Sequence, residues 1–335
     1  MPAQLRGRIS AEELSIELGP LCRAAGAQFV EASATCVAAG VRGGVVTTSI
    51  GDYLADAISL DVGASASGLD TPGAAEYAFS TRPAERWSAL VSRVDAFVAK
   101  EGGRSVSCCV VGAGVGGVEI ALALHARITA AKRVPDVSLV DAGPGILASW
   151  DDGAVDRVLR LLNARGIALC VDTAVARVTA DAVELRDGRK FKADITVWTT
   201  GAASLSWLRQ SSLPLDVDGW FRVDDTLRAV DGQAVWGAGD CIALERAPWL
   251  PRSGVYAIRA APVLAHNLRV AISQFGTLQS FRPSRRSLAL VDSADGRALA
   301  HWGRFTARGP WAWWLKHFID GRYVSGYQRL YKSVV

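Results

Sequence analysis

The run Gly112-Ala113-Gly114-Val115-Gly116-Gly117 puts glycine at its first, third and sixth places, between the apolar "SCCVV" and the helix-forming "VEIALAL". That spacing suits the pyrophosphate of a dinucleotide. The first glycine permits a tight turn, the second lets a phosphate approach the backbone, and the third packs the helix on the strand. A glycine turn serving packing alone would share the six residues. The flanking strand and helix, and Asp141 closing the next apolar run 24 residues beyond Gly117, favour a nucleotide. Asp141 would accept the hydroxyls of an adenosine ribose and repel a 2′-phosphate, so NAD(H) is favoured over NADP(H). Its other reading is a solvated strand-end carboxylate. Glu119, early in the helix and among alanine, valine and leucine, has no obvious structural use. It would hydrogen-bond the ribose or nicotinamide, or else interact with the helix dipole.

A second constellation is "VWGAGDCIAL", an apolar strand ending in Gly237-Ala238-Gly239-Asp240. Small residues there let a ligand pass close to the backbone. A carboxylate beside them suits a sugar or polyol chain, because it accepts from two hydroxyls. The alternative is a helix N-cap aspartate with no ligand.

Positioning these residues takes a strand–turn–helix–strand unit with chain on either side. Val106–Val111 reads as the first strand, Gly114–Ile128 as the helix and "DVSLVDAG" as the second strand. "SWDDGAVDRVLRLLNARG" is an amphipathic helix with Gly166 as its C′ residue. The following stretch to "VWTTG" alternates as strands do, with Asp187-Gly188 as a hairpin turn. Upstream lie a short helix and strand ("GPLCRAAGAQFVEASATCVAAG"), a strand pair, and a second apolar strand ending at Gly63. Pro83–Lys100 reads as a helix before the linker "EGGRS". Downstream, "SGVYAIRAAPVLAHNLRVAI" is a helix in which the lone His266 reads as structural. The tail reads as a few strands and a basic aromatic helix.

At 335 residues the chain suits two or three domains. Half of it is hydrophobic and 21% charged, which excludes a disordered or collagen-like chain. The net charge of +4 hides an asymmetry, because residues 276–335 hold ten basic against three acidic side chains. Four of the 11 tryptophans (Trp302, Trp311, Trp313, Trp314) lie there too. Six cysteines show no CxxC and no zinc spacing, so no metal site is expected and the thiols suit a reducing compartment. No signal peptide is read at the beginning, and a cytoplasmic location follows. Val106–Leu124 holds four glycines and Glu119, and so reads as buried strand and helix, not a membrane span.

In sequence order, "VVGAGVGGVEIALAL", "VSLVDAG", Gly201 in "VWTTGA", "VDDTLRA", "WGAGDCIAL" and "PRSGVYAIRAAPVLAHNL" carry a resemblance over most of the chain from about Ile16. The chain resembles the FAD-dependent pyridine nucleotide–disulfide oxidoreductase superfamily, in its type II NADH dehydrogenase-like branch. It is especially similar to the flavin module joined to selenide, water dikinase in some proteins. The resemblance implies an α/β fold of two dinucleotide-binding, Rossmann-like domains, the NADH domain inserted in the FAD domain, with a small α+β C-terminal region. The implied division is 1–103 and 206–275 for FAD, 104–205 for NADH, and 276–335 for the C-terminal basic and aromatic region.

It further implies that Gly112, Gly114, Gly117, Glu119, Asp141 and Gly201 hold NADH. Gly63, Gly239, Asp240, Gly254, Val255 and Tyr256 would hold FAD, the last three opening a helix toward the flavin pyrimidine edge. Hydride would pass from NADH to flavin and on to a quinone or another small acceptor; no catalytic acid or base is named. No flavin-side GxGxxG occurs in residues 1–60. The first strand, phosphate-binding helix and second strand of the FAD sheet are therefore expected to be absent, through a mis-assigned start or a degenerate product. The chain as given is expected to bind FAD weakly or not at all. The rival function is a non-catalytic NAD-binding or regulatory protein.

In the tail, Trp311, Trp314, Leu315 and Phe318 share one helical face beside basic residues, which suits peripheral contact with the cytoplasmic face of a membrane. The competing reading packs those tryptophans on the FAD domain, because Gly303, Gly309, Pro310 and Gly321 interrupt the run. No nucleic-acid module pattern appears, and the oligomeric state is open.

Overall fold

A computed structural model describes residues 2–82, 84–99 and 105–332. Pro83 and Lys100 of the expected helix, and Glu101 to Arg104 of the expected linker, lie outside the described residues. The chain divides into two compact units. One gathers Met1–Phe29, Ala66–Gly201 and Leu288–Val335; the other gathers Val30–Ser65 and Ala202–Ser287.

The first unit is built on a five-stranded parallel sheet in the spatial order Ala78–Ser80, Ile195–Trp198, Val106–Val111, Pro135–Val140, Ala168–Cys170. All six residues of Val106–Val111 are buried. That is the signature of a central parallel strand covered on both faces. The helix Val115–Ala130 is apolar almost all round and correspondingly buried. Ala84–Ala99 is the helix expected upstream, and it adds Trp87, Leu90 and Val94 to the core formed by Val106, Val110 and Leu122. A three-stranded antiparallel meander (Val175–Val178, Ala182–Leu185, Lys190–Lys192) turns at Asp187-Gly188, where Gly188 has φ +88°. The helix Asp152–Asn163 is capped by Ala164, so Gly166 (φ +64°) lies two residues past the cap and is not its C′ neighbour.

The tail forms a three-stranded antiparallel sheet (Ala289–Asp292, Ala298–Trp302, Phe305–Gly309) followed by the helix Pro310–Lys332. The helix runs through Gly321 and Gly326, so neither interrupts it. Residues 288–335 and 66–99 group with the glycine turn, where the sequence division made the tail a separate region and gave 1–103 to the flavin side. The reason is pairing and charge. Ala78–Ser80 pairs with Ile195–Trp198, and the Arg6 guanidinium meets Asp292 at 3.0 Å with both side chains buried.

The second unit holds an antiparallel sheet (Ala34–Gly40, Gly43–Thr48, Gly51–Ala55) and two parallel pairs. Val235–Gly237 runs beside Ile58–Leu60, and Phe221–Val223 beside Ile242–Leu244. The long helix Gly254–Ser273 contributes Ala260 and Leu264 to a core with Phe221, Val235 and Trp236. Among the described residues, no helix is long and apolar enough to cross a membrane.

Candidate functional site

In the first unit, register brings the strand ends level: Val111 pairs with Val140 and with Trp198, and Val140 pairs with Cys170. The glycine turn leaves this edge, the carboxyl edge where ligands of open parallel sheets bind. Its glycines fall into two kinds. Gly112 has φ +107°, and a Cβ there would lie 2.7 Å from the Thr199 carbonyl oxygen. A Cβ on Gly117 would lie 1.7 Å from the Gly112 carbonyl oxygen. Backbone packing therefore demands both. Gly114 and Gly116 are exposed, and a Cβ on either would meet no protein atom within 4 Å. Packing gives no reason for glycine at those two places, and the room they leave is room for a ligand.

Asp141 follows the second strand. Its Oδ2 accepts the Ala113 N–H at 2.6 Å and its Oδ1 the Gly143 N–H at 2.7 Å. The carboxylate thus fixes the glycine turn as well as lining a cavity of ≈ 370 Å³, together with Gly112, Thr173, Arg186, Thr200 and Gly201. Each carboxylate oxygen keeps a lone-pair site for a hydroxyl. Gly201 is held by the Ser67 N–H, which donates to its carbonyl at 2.8 Å. Thr199 locks the turn from beneath, its hydroxyl donating toward the carbonyls of Val111 and Gly112. Thr199, Thr200 and Ser67 escaped sequence reading because hydroxyl residues after a strand carry no spacing signal.

Glu119 has a structural use after all. It is 7% exposed, its Oε1 accepts the Asp292 N–H at 2.8 Å, and Lys316 Nζ lies 3.3 Å away. It does not line the cavity with Asp141. Burial pushes its carboxyl above the usual range, with Lys316 and the Asp292 N–H pulling the other way. Lys316 is held above its usual range because Glu119 and Asp320 outweigh its own burial. The partners come from the tail, 173 and more residues downstream.

In the second unit, Gly239-Asp240-Cys241 is a single 3-10 turn, not the opening of a long helix. Gly239 has φ +76°, and a Cβ there would strike Asp61 Oδ1. Partial burial and the Asp240 charge hold the Asp61 carboxyl above its ordinary range. Two neighbouring carboxylates suit a polyol, which donates to both. Gly239, Asp240, Arg252, Ser253 and Tyr256 line one crevice; Val255 does not. The helix that begins at Gly254 has no side-chain cap, and a Cβ on Gly254 or Gly63 would meet nothing. Tyr256 donates its hydroxyl to the Ser284 carbonyl at 2.9 Å. These features fit a flavin's ribityl chain and pyrimidine edge. Asp61 and Arg252 were not singled out in the sequence, since neither belongs to a repeated spacing. His266 is half-buried, with Nε2 3.0 Å from the Thr277 carbonyl oxygen, a structural contact.

Of the tail's tryptophans, Trp313 packs against Ala298, Ala300 and Ala312, and the other three do not fill a core. Trp311 is 53% exposed and Trp314 62%, and Trp314 stacks on Phe318 at 5.3 Å. Trp302 and Phe305, at the preceding hairpin, are exposed as well. Of the six basic residues after His301, Lys316 is spent on Glu119 and Arg308 on Asp295, leaving Arg304, Arg322, Arg329 and Lys332 toward solvent.

The parallel sheet, the glycine turn and the strand-end aspartate define a dinucleotide-binding α/β protein. The chain belongs to the pyridine nucleotide-disulphide oxidoreductase family, whose model matches residues 23–267. It is 29% identical over 238 residues to a NADH dehydrogenase-like protein of Mycobacterium tuberculosis, covering 68% of this chain and 58% of that relative. It is 26% identical over 235 residues to the type II NADH:quinone oxidoreductase of Haemophilus influenzae, covering 67% of this chain and 52% of the relative. The chain thus spans little more than half the length of these relatives. Among solved structures, the sulfide:quinone oxidoreductase of Aquifex aeolicus superposes with TM-score 0.81 at 17% identity, over 98% of this chain and 82% of the other. The Plasmodium falciparum NDH2 in complex with NADH gives 0.71 at 12% identity, over 90% and 82%. Both share the fold.

Proposed function

We propose that this chain carries the NADH-binding and flavin-facing parts of an FAD-dependent NADH oxidoreductase that passes electrons to a quinone or another small acceptor. The observation behind this is Gly114, an exposed glycine with no packing reason to be glycine, opening a helix beside the cavity that Asp141 lines. The names of the relatives support the same reading. In it, Gly112–Gly117 cradle the pyrophosphate, the helix N-terminus offsets its charge, and Asp141 accepts from the adenosine ribose. Gly201 borders the same cavity. Asp240 with Asp61 accepts from the ribityl hydroxyls, and the uncapped start of Gly254–Ser273 favours negative charge on the flavin ring. Bound flavin would accept a hydride and release electrons singly or in pairs. This chain's own contribution is to hold and orient, and no side chain is required as acid or base. The exposed aromatic band of the tail would rest on the cytoplasmic face of a membrane, where a quinone is found.

Anaerobic mixing of NADH with the FAD-supplemented chain tests the reading. Bleaching of the flavin's visible absorbance, reversed by a water-soluble quinone, is expected. NADH binding with no change in bound flavin would instead make this a non-catalytic nucleotide-binding protein.

A further inference from the structure

The cavity beside the glycine turn contains a cation that the dinucleotide pattern does not call for. Moving outward across the sheet, the turn follows Val111, Asp141 follows Val140, and the next strand ends at Cys170, each strand paired with the one before. If the pyrophosphate lies at the turn and the ribose at Asp141, the base lies one strand further out. Thr173, Ala174, Val175 and Arg186 line the cavity there. Arg186 is pinned in place by its backbone N–H, which donates to the Ala174 carbonyl at 2.9 Å.

The charge of Arg186 is uncommitted. Arg189, in the same turn, pairs with Asp187 at 2.5 Å, and Lys190 pairs with Glu184 at 3.0 Å. The Arg186 guanidinium has no hydrogen bond or ion pair among the described residues, and the residue is exposed. A guanidinium is planar and weakly hydrated, and stacks readily on a π face. Ala174 and Val175 line the same cavity with apolar side chains.

We infer that Arg186 is the adenine-facing residue of this cavity, its guanidinium stacking on the base of a bound ADP-ribose moiety. The inference rests on the nucleotide reading above. A 2′-phosphate is the other anion-bearing group a cation there would meet, but it would sit on the ribose against the Asp141 carboxylate, which repels it. Stacking serves both coenzymes alike and needs no phosphate.

Titration calorimetry with ADP-ribose, 2′-phospho-ADP-ribose and nicotinamide mononucleotide tests this on the wild-type chain, Arg186→Ala and Arg186→Lys. Arg186→Ala should weaken both ADP-ribose probes by the same factor, roughly fivefold. Nicotinamide mononucleotide should bind unchanged, and Arg186→Lys should recover only part of the loss because it lacks the plane. Unchanged ADP-ribose affinity in Arg186→Ala overturns the inference while leaving the nucleotide site standing. A loss confined to the 2′-phosphorylated probe overturns stacking. Failure of the wild-type chain to bind ADP-ribose at all overturns the nucleotide reading and this inference with it.

Discussion

Lys316→Met should destabilise the chain far more than its single lost charge on the tail suggests. Glu119 and Lys316 face each other at 3.3 Å, with side chains 9% and 19% exposed. At an effective dielectric of about 20, two unit charges at that separation attract by about 5 kcal/mol. Desolvation offsets part of that gain, but removing one partner leaves the other buried and uncompensated, a loss of about 3–5 kcal/mol. Methionine fills a similar volume, so the loss is electrostatic. Glu119→Gln should cost less, about 1–2 kcal/mol, because the amide oxygen still accepts the Asp292 N–H. Lys316 would keep the Leu290 carbonyl at 3.1 Å and Asp320 at 3.8 Å. The double variant should be more stable than Lys316→Met alone.

The stranded carboxyl would also add a pH dependence. A carboxyl whose folded-state pKa lies above its unfolded value holds a proton that the unfolded chain releases, so stability falls as pH rises. The decline starts near the unfolded value of about 4.3 and ends once pH passes the folded pKa. Burial already shifts Glu119 in that direction, and losing Lys316 extends the window upward. Urea unfolding followed by tryptophan fluorescence between pH 5 and 8 measures both effects. A loss below about 1 kcal/mol at neutral pH, or a double variant no better than Lys316→Met, would refute a buried, interacting pair.

Further outcomes follow from the turn, the aspartate and the tail. Gly117→Ala, whose Cβ would fall 1.7 Å from a backbone oxygen, should lower stability by about 2 kcal/mol or more. Gly114→Val should leave the melting temperature nearly unchanged yet weaken NADH binding roughly tenfold; the reverse pattern would show that Gly114 serves packing. Asp141→Ala with Ala142→Arg should shift preference from NADH toward NADPH, at some cost in stability because two backbone N–H groups lose their acceptor. An unchanged affinity ratio would remove Asp141 from the ribose. Trp311→Ala with Trp314→Ala should abolish salt-sensitive flotation on anionic vesicles at unchanged melting temperature, since both rings are more than half exposed. A lowered melting temperature with no vesicle binding to lose would restore a packing role.

The strand–turn–helix around Gly112 was legible because its determinants are local. Strand burial, the φ of Gly112 and the close contact at Gly117 all lie within a dozen residues, and the glycine spacing records them directly. Gly239 and Gly254 stand out for the same reason, each at the start of a helical element. What Glu119 does was not legible. Its alternatives, ribose or helix dipole, were drawn from its own helix, whereas its partners Asp292 and Lys316 arrive only when the tail folds back on that helix. The grouping of 66–99 and 288–335 with the glycine turn depended in the same way on long-range pairing and buried charge. Helical spacing alone put Trp311 and Trp314 on one face, but whether that face is covered depends on which side of the helix meets the three-stranded sheet. Ala312 is buried and the two tryptophans are left outside. Local sequence specifies conformation where sterics within a few bonds decide it. Burial of a charge or a ring depends on what else packs there, and only the tertiary structure supplies that neighbour.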